Sequence, residues 1–350
     1  MSPTIRLAPP PSPRWRRFSP PPTLALTEIQ DSIELAEDWA KRFKNRQVRL
    51  RRSFVWRRKA TEPDPAAIRL LRRSGTALKL GLSANWASGG EGQRKGYEYS
   101  DRELRTIDER RERNPRRLDV PIIVDPKEGK ARLVGTDPHT TDFTYDQWAT
   151  LLGRSDAGDT AATASVRRAM VTLAREGLVL ADRFQGSKPR LQLGLESGMP
   201  GRFKAYRKPA REKPKAGDFD AKDVWILLPP GLWTNGWLAA LSGRALLTYL
   251  VIARQAEIQT PAFLTDDIRI KHFGIADEEV VGEGAAELDF YEIIRRRSGR
   301  YARLEFEIEP DAFERDAVDV LRDVGKTVRR ATKRRSASHS SARTKKAAGP

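Results

Sequence analysis

Residues 144–195, TYDQWATLLGRSDAGDTAATASVRRAMVTLAREGLVLADRFQGSKPRLQLGL, carry in order the signals of a helix, a turn, a second helix and two strands joined by a short loop. Thr144 stands three residues before Gln147, the spacing at which a hydroxyl and an amide each satisfy a free backbone N–H at a helix start. Trp148, Leu151 and Leu152 supply the buried side of this first helix, and Gly153 can take the left-handed geometry that closes it. From Thr163 the apolar positions Val166, Met170 and Leu173 recur at helical spacing, while Thr163, Arg167, Arg168 and Arg175 lie off that stripe. Gly177 ends the second helix. Leu178, Val179 and Leu180 then start a strand, Gly186, Ser187, Lys188 and Pro189 supply turn chemistry, and Leu191 and Leu193 alternate with polar residues on the way back.

A helix of this kind fits the major groove of duplex DNA. Thr163, Arg167 and Arg168 would approach guanine edges or phosphates, and a hairpin tip with Lys188 and Arg190 would lie along the backbone or minor groove. The competing reading is a packed helix pair whose arginines form a solvated face.

Composition narrows the remaining classes. At 350 residues the chain fits two domains with tails. It has no cysteine, which excludes disulfides, thiolate zinc sites and a cysteine nucleophile, and suits a reducing cytoplasm. The first 18 residues lack the apolar core of a secretory signal. The most apolar run, 237–253, contains Ser242, Arg244 and Thr248, so a buried helix is expected there and no membrane partner. The net charge of +18 is carried by the two ends: residues 1–60 hold +9, residues 326–350 hold +9, and the body between is balanced. Such ends supply salt-sensitive affinity for phosphate polymers. The abundance of arginine, alanine and proline points to a GC-rich, bacterial source.

Taken in order, residues 1–60 read as a basic, Pro-rich arm with a helix at about 27–47, running into KRFKNRQVRLRRSFVWRRK at 41–59, where arginines stand beside Phe43, Phe54 and Trp56. Ser74, Gly75, Ala77, Leu78 and Leu82 then recur, at one constant offset, as Ser242, Gly243, Ala245, Leu246 and Leu250. The segments downstream of the two copies share one order as well. After the second come a helix from Asp266 to Phe273, Gly274, a helix from Asp277 to Leu288, a strand from Tyr291, a turn at Ser298 and Gly299, and a strand from Tyr301 to Ile308. The first copy, 70–196, is longer by an insertion at about 90–137, which holds a charged helix from Asp101 and a hairpin of PIIV and ARLV around Asp125 to Gly129. A Gly-, Pro- and Lys-rich linker at 197–223 separates it from the second copy, 224–310; a C-terminal helix at 311–325 and a disordered basic tail at 326–350 complete the chain.

The two copies differ in charge. The second helix of the C-terminal copy carries Asp277, Glu278, Glu279, Glu283 and Glu287 and no Lys or Arg, which opposes phosphate contact, so it is expected to serve a protein partner or homodimer. Its hairpin tip, with Arg295, Arg296, Arg297 and Arg300, is basic and would touch DNA as a wing.

Catalytic sets are absent from this reading. His139, His272 and His339 share no metal-ligand spacing. Asp125, Glu128 and Lys130 crowd into one turn instead of lying on separate strands as a metal nuclease requires, and GGEGQRKG at 89–96 lacks the end of a phosphate loop. No enzyme activity, cofactor or metal is expected.

The repeated order of helices and strands is that of a winged helix-turn-helix. With SGxAL at 74–78 and 242–246 the chain resembles tandem winged-helix proteins, both plasmid replication initiators that bind direct repeats at an origin and bacterial winged-helix regulators. In those initiators the C-terminal domain is a main DNA reader, whereas here its helix is acidic. The expected fold is α+β, mainly helical, with two divergent winged helix-turn-helix domains and basic disordered ends. The resemblance implies a cytoplasmic, nucleoid- or plasmid-associated protein that binds double-stranded DNA, a transcriptional regulator or else a replication initiator.

Overall fold

The structure, a computed structural model, describes residues 26–41, 48–88, 122–124, 131–133, 140–141, 143–154, 160–182, 190–198, 200, 204, 206, 224–298 and 304–323. It is a mainly helical α+β fold with small antiparallel sheets. In chain order the elements are α1 (Leu26–Ala40), β1 (Val48–Arg51), α2 (Ala66–Arg73), α3 (Gly75–Ser88), β2 (Ile122–Val124), β3 (Ala131–Leu133), β4 (Thr140–Thr141), α4 (Tyr145–Leu151), α5 (Thr160–Arg175), β5 (Val179–Asp182) and β6 (Arg190–Leu193). Then come β7 (Trp225–Leu228), α6 (Gly231–Thr234), α7 (Trp237–Ala240), α8 (Gly243–Ala256), β8 (Ala262–Leu264), α9 (Asp266–Phe273), α10 (Glu278–Phe290), β9 (Ile294–Ser298), β10 (Leu304–Ile308) and a last helix, α11, over 317–323.

Two stretches share one order. The first is α3, β4, α4, α5, β5, β6, and the second is α8, β8, α9, α10, β9, β10. In each, the last strand is the central one of three: β4-β6-β5 in one sheet, β8-β10-β9 in the other. Local chemistry explains the likeness. Ser74 and Ser242 hydroxyls accept from the N–H groups of Ala77 and Ala245, so α3 and α8 begin alike. Thr144 caps α4, with the reciprocal Gln147 bond of a capping box, and Thr265 caps α9 through the Ile268 N–H. Both helices end in a left-handed glycine, Gly153 at φ 69° and Gly274 at φ 70°. After α5 and α10 the chain turns through Gly177 and Glu292, and Leu178 and Ile293 donate back to the carbonyls of Leu173 and Leu288.

The two stretches are fused. α3 and α8 are buried on nearly every side, and each central helix packs against its own second helix and against the other central helix. One continuous apolar core runs through both halves, so the described residues do not divide into two separate cores at the expected linker. The linker itself begins with paired backbone: Lys204 O accepts from Leu195 N, and Tyr206 N donates to Leu193 O.

Residues 26–41 and 48–60 are not an arm. Ile29, Ile33, Ala36 and Ala40 recur at helical spacing and are all buried, placing α1 across α4 of the first half and α6 of the second. The Ser32 hydroxyl donates to Leu151 O at 2.9 Å. β1 pairs antiparallel with β7, Val48 opposite Leu228 and Arg51 opposite Trp225. Arg49, Arg51 and Arg57 of the basic block are taken up in this packing. Arg51 forms a buried ion pair with Glu196 at 2.6 Å and lies over Tyr206, Arg49 lies over Trp225, and Arg57 pairs with Asp64 while donating to the carbonyls of Ile270 and Lys271 at the end of α9. Trp56 stacks on His272 with ring centroids 4.2 Å apart. The arginine-aromatic alternation thus reflects intramolecular pairing, with Phe54 fully buried. Phe43 lies outside the described residues.

Two smaller expectations change. The apolar run at 237–253 is two helices: α7 stops at Leu241, whose extended backbone lets Ser242 restart the chain as the cap of α8. The C-terminal helix starts at 317; before it, Phe313 is buried and its carbonyl accepts from Asn235, so this segment closes over α6 and α7. The hairpin of the insertion forms as β2 and β3, with Ile122 opposite Leu133. The charged helix from Asp101, the Asp125–Lys130 group, His139, His339, residues 1–25 and 42–47 of the N-terminal basic end and the basic tail at 326–350 fall outside the described residues. No helix among the described residues is long and apolar enough to cross a membrane.

Candidate nucleic-acid interface

α5 has two unlike faces. Ala162, Val166, Ala169, Met170 and Leu173 are buried against α3 and its neighbours, and the opposite side carries Arg167 and Arg168, both exposed. The helix runs from Thr160 to Arg175. Thr163 is half-buried, and its hydroxyl turns back to Thr160 O at 3.3 Å.

The arginines differ in how they are held. The Arg167 guanidinium carbon stands 4.7 Å from the centroid of the Tyr145 ring. Tyr145 is the first residue of α4, fixed by the Thr144–Gln147 capping box and half-buried. Arg154, just past the Gly153 turn, donates to the Ser165 hydroxyl on α5 at 3.1 Å. The Arg168 side chain has no hydrogen-bond or ion-pair partner among the described residues; its backbone carbonyl accepts from Thr172. No carboxylate among the described residues forms an ion pair with Arg154, Arg167, Arg168 or Arg175, which leaves this face basic. Arg190 opens β6 opposite Asp182, but its side chain, like Lys188 and the rest of the tip, lies outside the described residues.

The corresponding face of the second half is closed. Matched through the turns at Gly177 and Glu292, Arg167 falls on Gly282 and Arg168 on Glu283. Gly282, Gly284, Ala285 and Ala286 are buried because α10 presses into α8, where a Cβ on Gly284 would lie 2.6 Å from Arg244 O. Glu283 forms an ion pair with Arg244. Glu287 is buried and accepts from both the N–H and the hydroxyl of Ser242, at 2.7 and 2.5 Å. Burial pushes its carboxyl above the usual range, opposed by those bonds and by Lys79. Asp277 caps its own helix through Glu279 N. The five acids are therefore not one surface; Glu287 belongs to the interior, and Glu278 and Glu279 remain on the exposed first turn.

The second wing also differs from the expected basic tip. Arg295 pairs with Glu309 at 2.9 Å, Arg297 with Glu307 at 2.7 Å, and Arg296 with Asp289. Each sits on β9 facing carboxylates that β10 or α10 brings alongside, so the described part of the wing is charge-balanced. Arg300 lies outside the described residues.

Beneath the candidate face, Lys79 of α3 donates to Ala239 O at 2.8 Å. Desolvation, reinforced by Arg154 and opposed by Glu287, lowers its ammonium to about 7. Among the described residues no group of His, Asp and Glu is placed to hold a metal ion. Spacing along the chain singled out Arg167 and Arg168 but not Tyr145, Arg154 or Lys79, whose roles depend on which helices meet. No family model, curated protein or solved structure matches the chain.

Proposed function

We propose that the chain is a sequence-specific double-stranded DNA-binding protein, a transcriptional regulator, that reads the major groove with α5. The observation that carries this reading is the outward face of α5, where Arg167 and Arg168 stand exposed with no carboxylate in an ion pair with either among the described residues. An order of helix, strand, helix, helix, strand, strand with the last strand central is that of a winged helix-turn-helix, in which the third helix enters the groove. In this reading the first half is the reader, Thr163 lies along the groove wall, Lys188 and Arg190 form its wing, and the basic ends add affinity that falls steeply with salt. The second half, with its closed helix face, serves as a scaffold and offers its remaining acids to a protein partner or a second copy.

One observation favours a second reading. Two equivalent units fused through their central helices suit a replication initiator that sits on repeated origin sequences. Selection of duplexes from a random pool by the full-length protein tests the first reading: a defined site should emerge, and Arg167→Ala or Arg168→Ala should weaken binding to it by about 1–3 kcal/mol. Selection of no duplex would end it. An initiator would in addition support autonomous replication of a plasmid that carries the encoding gene with its adjacent repeats.

A further inference from the structure

The two exposed arginines of α5 are adjacent in sequence, yet only one is held. The Arg167 guanidinium lies over the Tyr145 ring, 4.7 Å from its centroid, on a helix start that is itself fixed by the reciprocal Thr144–Gln147 bonds. An aromatic face attracts the cation but supplies no lone pair in the guanidinium plane, so the N–H fork keeps its donors for another acceptor. No acceptor among the described residues occupies it. Arg168 has neither ring nor acceptor among those residues.

This difference matters for what each can recognise. A phosphate offers its oxygens to a cation from many directions, so a mobile side chain serves it well. A guanine offers O6 and N7 along one edge, which a guanidinium set in the right plane meets with two parallel bonds in one fixed geometry. Fixing the side chain before contact also removes part of the rotamer entropy lost on binding. We infer that Tyr145 is a positioning residue that presents the Arg167 fork to the O6/N7 edge of one guanine in the major groove, while Arg168 contacts the backbone. The inference rests on the proposal that α5 faces duplex DNA.

The experiment uses the full-length protein, the duplex it selects and a scrambled duplex of equal length. Guanines of the selected site are replaced singly by 7-deazaguanine, which removes N7 and leaves base pairing intact. One such replacement should cost the wild-type protein roughly tenfold in affinity, the lower part of the range for a bidentate base contact, because one of its two bonds is lost. The same replacement should cost clearly less to Arg167→Lys, which keeps the charge without the planar fork, and to Tyr145→Leu. Both variants should lose less on the scrambled duplex than on the selected one, and Tyr145→Phe, which keeps the ring face, should match the wild type throughout. Arg167→Lys alters an exposed side chain and carries the test if Tyr145→Leu fails to fold. Equal weakening on both duplexes, with the salt slope reduced by about one, would make Arg167 a phosphate contact and overturn the inference while sparing the DNA reading. Undiminished selectivity in Tyr145→Leu would remove Tyr145 from it. Failure of the wild-type protein to select any duplex would instead sink the underlying proposal.

Discussion

Gly75 and Gly243 meet backbone to backbone: a Cβ added to Gly243 would stand 2.7 Å from the Gly75 Cα, closer than real side-chain carbons approach. The contact joins the first turns of α3 and α8, the two central helices, and explains why the second copy of SGxAL carries glycine at 243. It is not symmetric. A Cβ on Gly75 would lie 3.4 Å from the Gly243 Cα, at the edge of ordinary contact, whereas one on Gly243 also meets Leu71 at 2.9 Å. Gly243→Ala should therefore destabilise by about 1–3 kcal/mol, the range for overpacking a core. Gly75→Ala should stay within about 1 kcal/mol, because alanine favours the helix by a similar amount. Urea unfolding midpoints of the two variants decide this, and equal losses would contradict the asymmetry.

Lys79 gives stability a pH dependence whose sign is fixed by its surroundings. Desolvation and Arg154 lower its ammonium from 10.5 to about 7 in the fold. Between those values the unfolded chain holds a proton that the folded chain has released, so stability should rise with pH from about 7 towards 10 and fall back as pH drops to 7. Below that point both states are protonated and the cost of the buried charge is fully present. Lys79→Met should flatten this rise. The difference in unfolding midpoint between variant and wild type, followed from pH 6 to 9.5, is the measurement; a parallel pair of curves would mean Lys79 is solvated.

Glu287 and the acids at the start of α10 should separate cleanly on mutation. Glu287→Ala removes both acceptors of the Ser242 cap from a buried site, leaving a donor without a partner, and should cost about 1–3 kcal/mol. Glu278→Ser with Glu279→Ser touches only exposed positions and should shift stability by about 0.5 kcal/mol or less for each substitution. Thermal unfolding of the single variant and the pair tests the split. A self-association change caused by the pair alone would locate a partner surface on that turn.

Arg168→Ala should weaken binding to selected and scrambled duplexes alike and lower the slope of log affinity against log salt by about one. Titrations at several salt concentrations read this directly. A loss confined to the selected site would assign Arg168 to a base instead.

Much of the fold is legible in signals that act over a few residues. Thr144 with Gln147, Gly153, Gly177 and Gly274 each fix a helix end through neighbours in the chain, and all appear where their spacing places them. The two helices and last two strands of the second copy are legible for the same reason, as is the hairpin of β2 and β3 in the insertion, whereas β8 is seen only in the fold. The candidate site is legible only in part. Arg167 and Arg168 stand off an apolar stripe, and stripes are visible in a sequence; that Tyr145 lies beneath Arg167 depends on the angle at which α4 meets α5.

By itself, then, the sequence determined where helices start and stop, that a unit occurs twice, and which arginines of α5 face away from its buried side. Tertiary structure decided how charged residues were spent. Arg51 of the basic block became interior pairing because it finds Glu196, 145 positions away, and α1 packs on the body where Ser32 reaches Leu151, 119 positions away. Glu287 became a cap for α8, and Arg295 and Arg297 met carboxylates across a strand pair. Composition records a charge but not its partner: local bonds follow from spacing of three or four residues, whereas ion pairs and burial arise only when distant segments share a core.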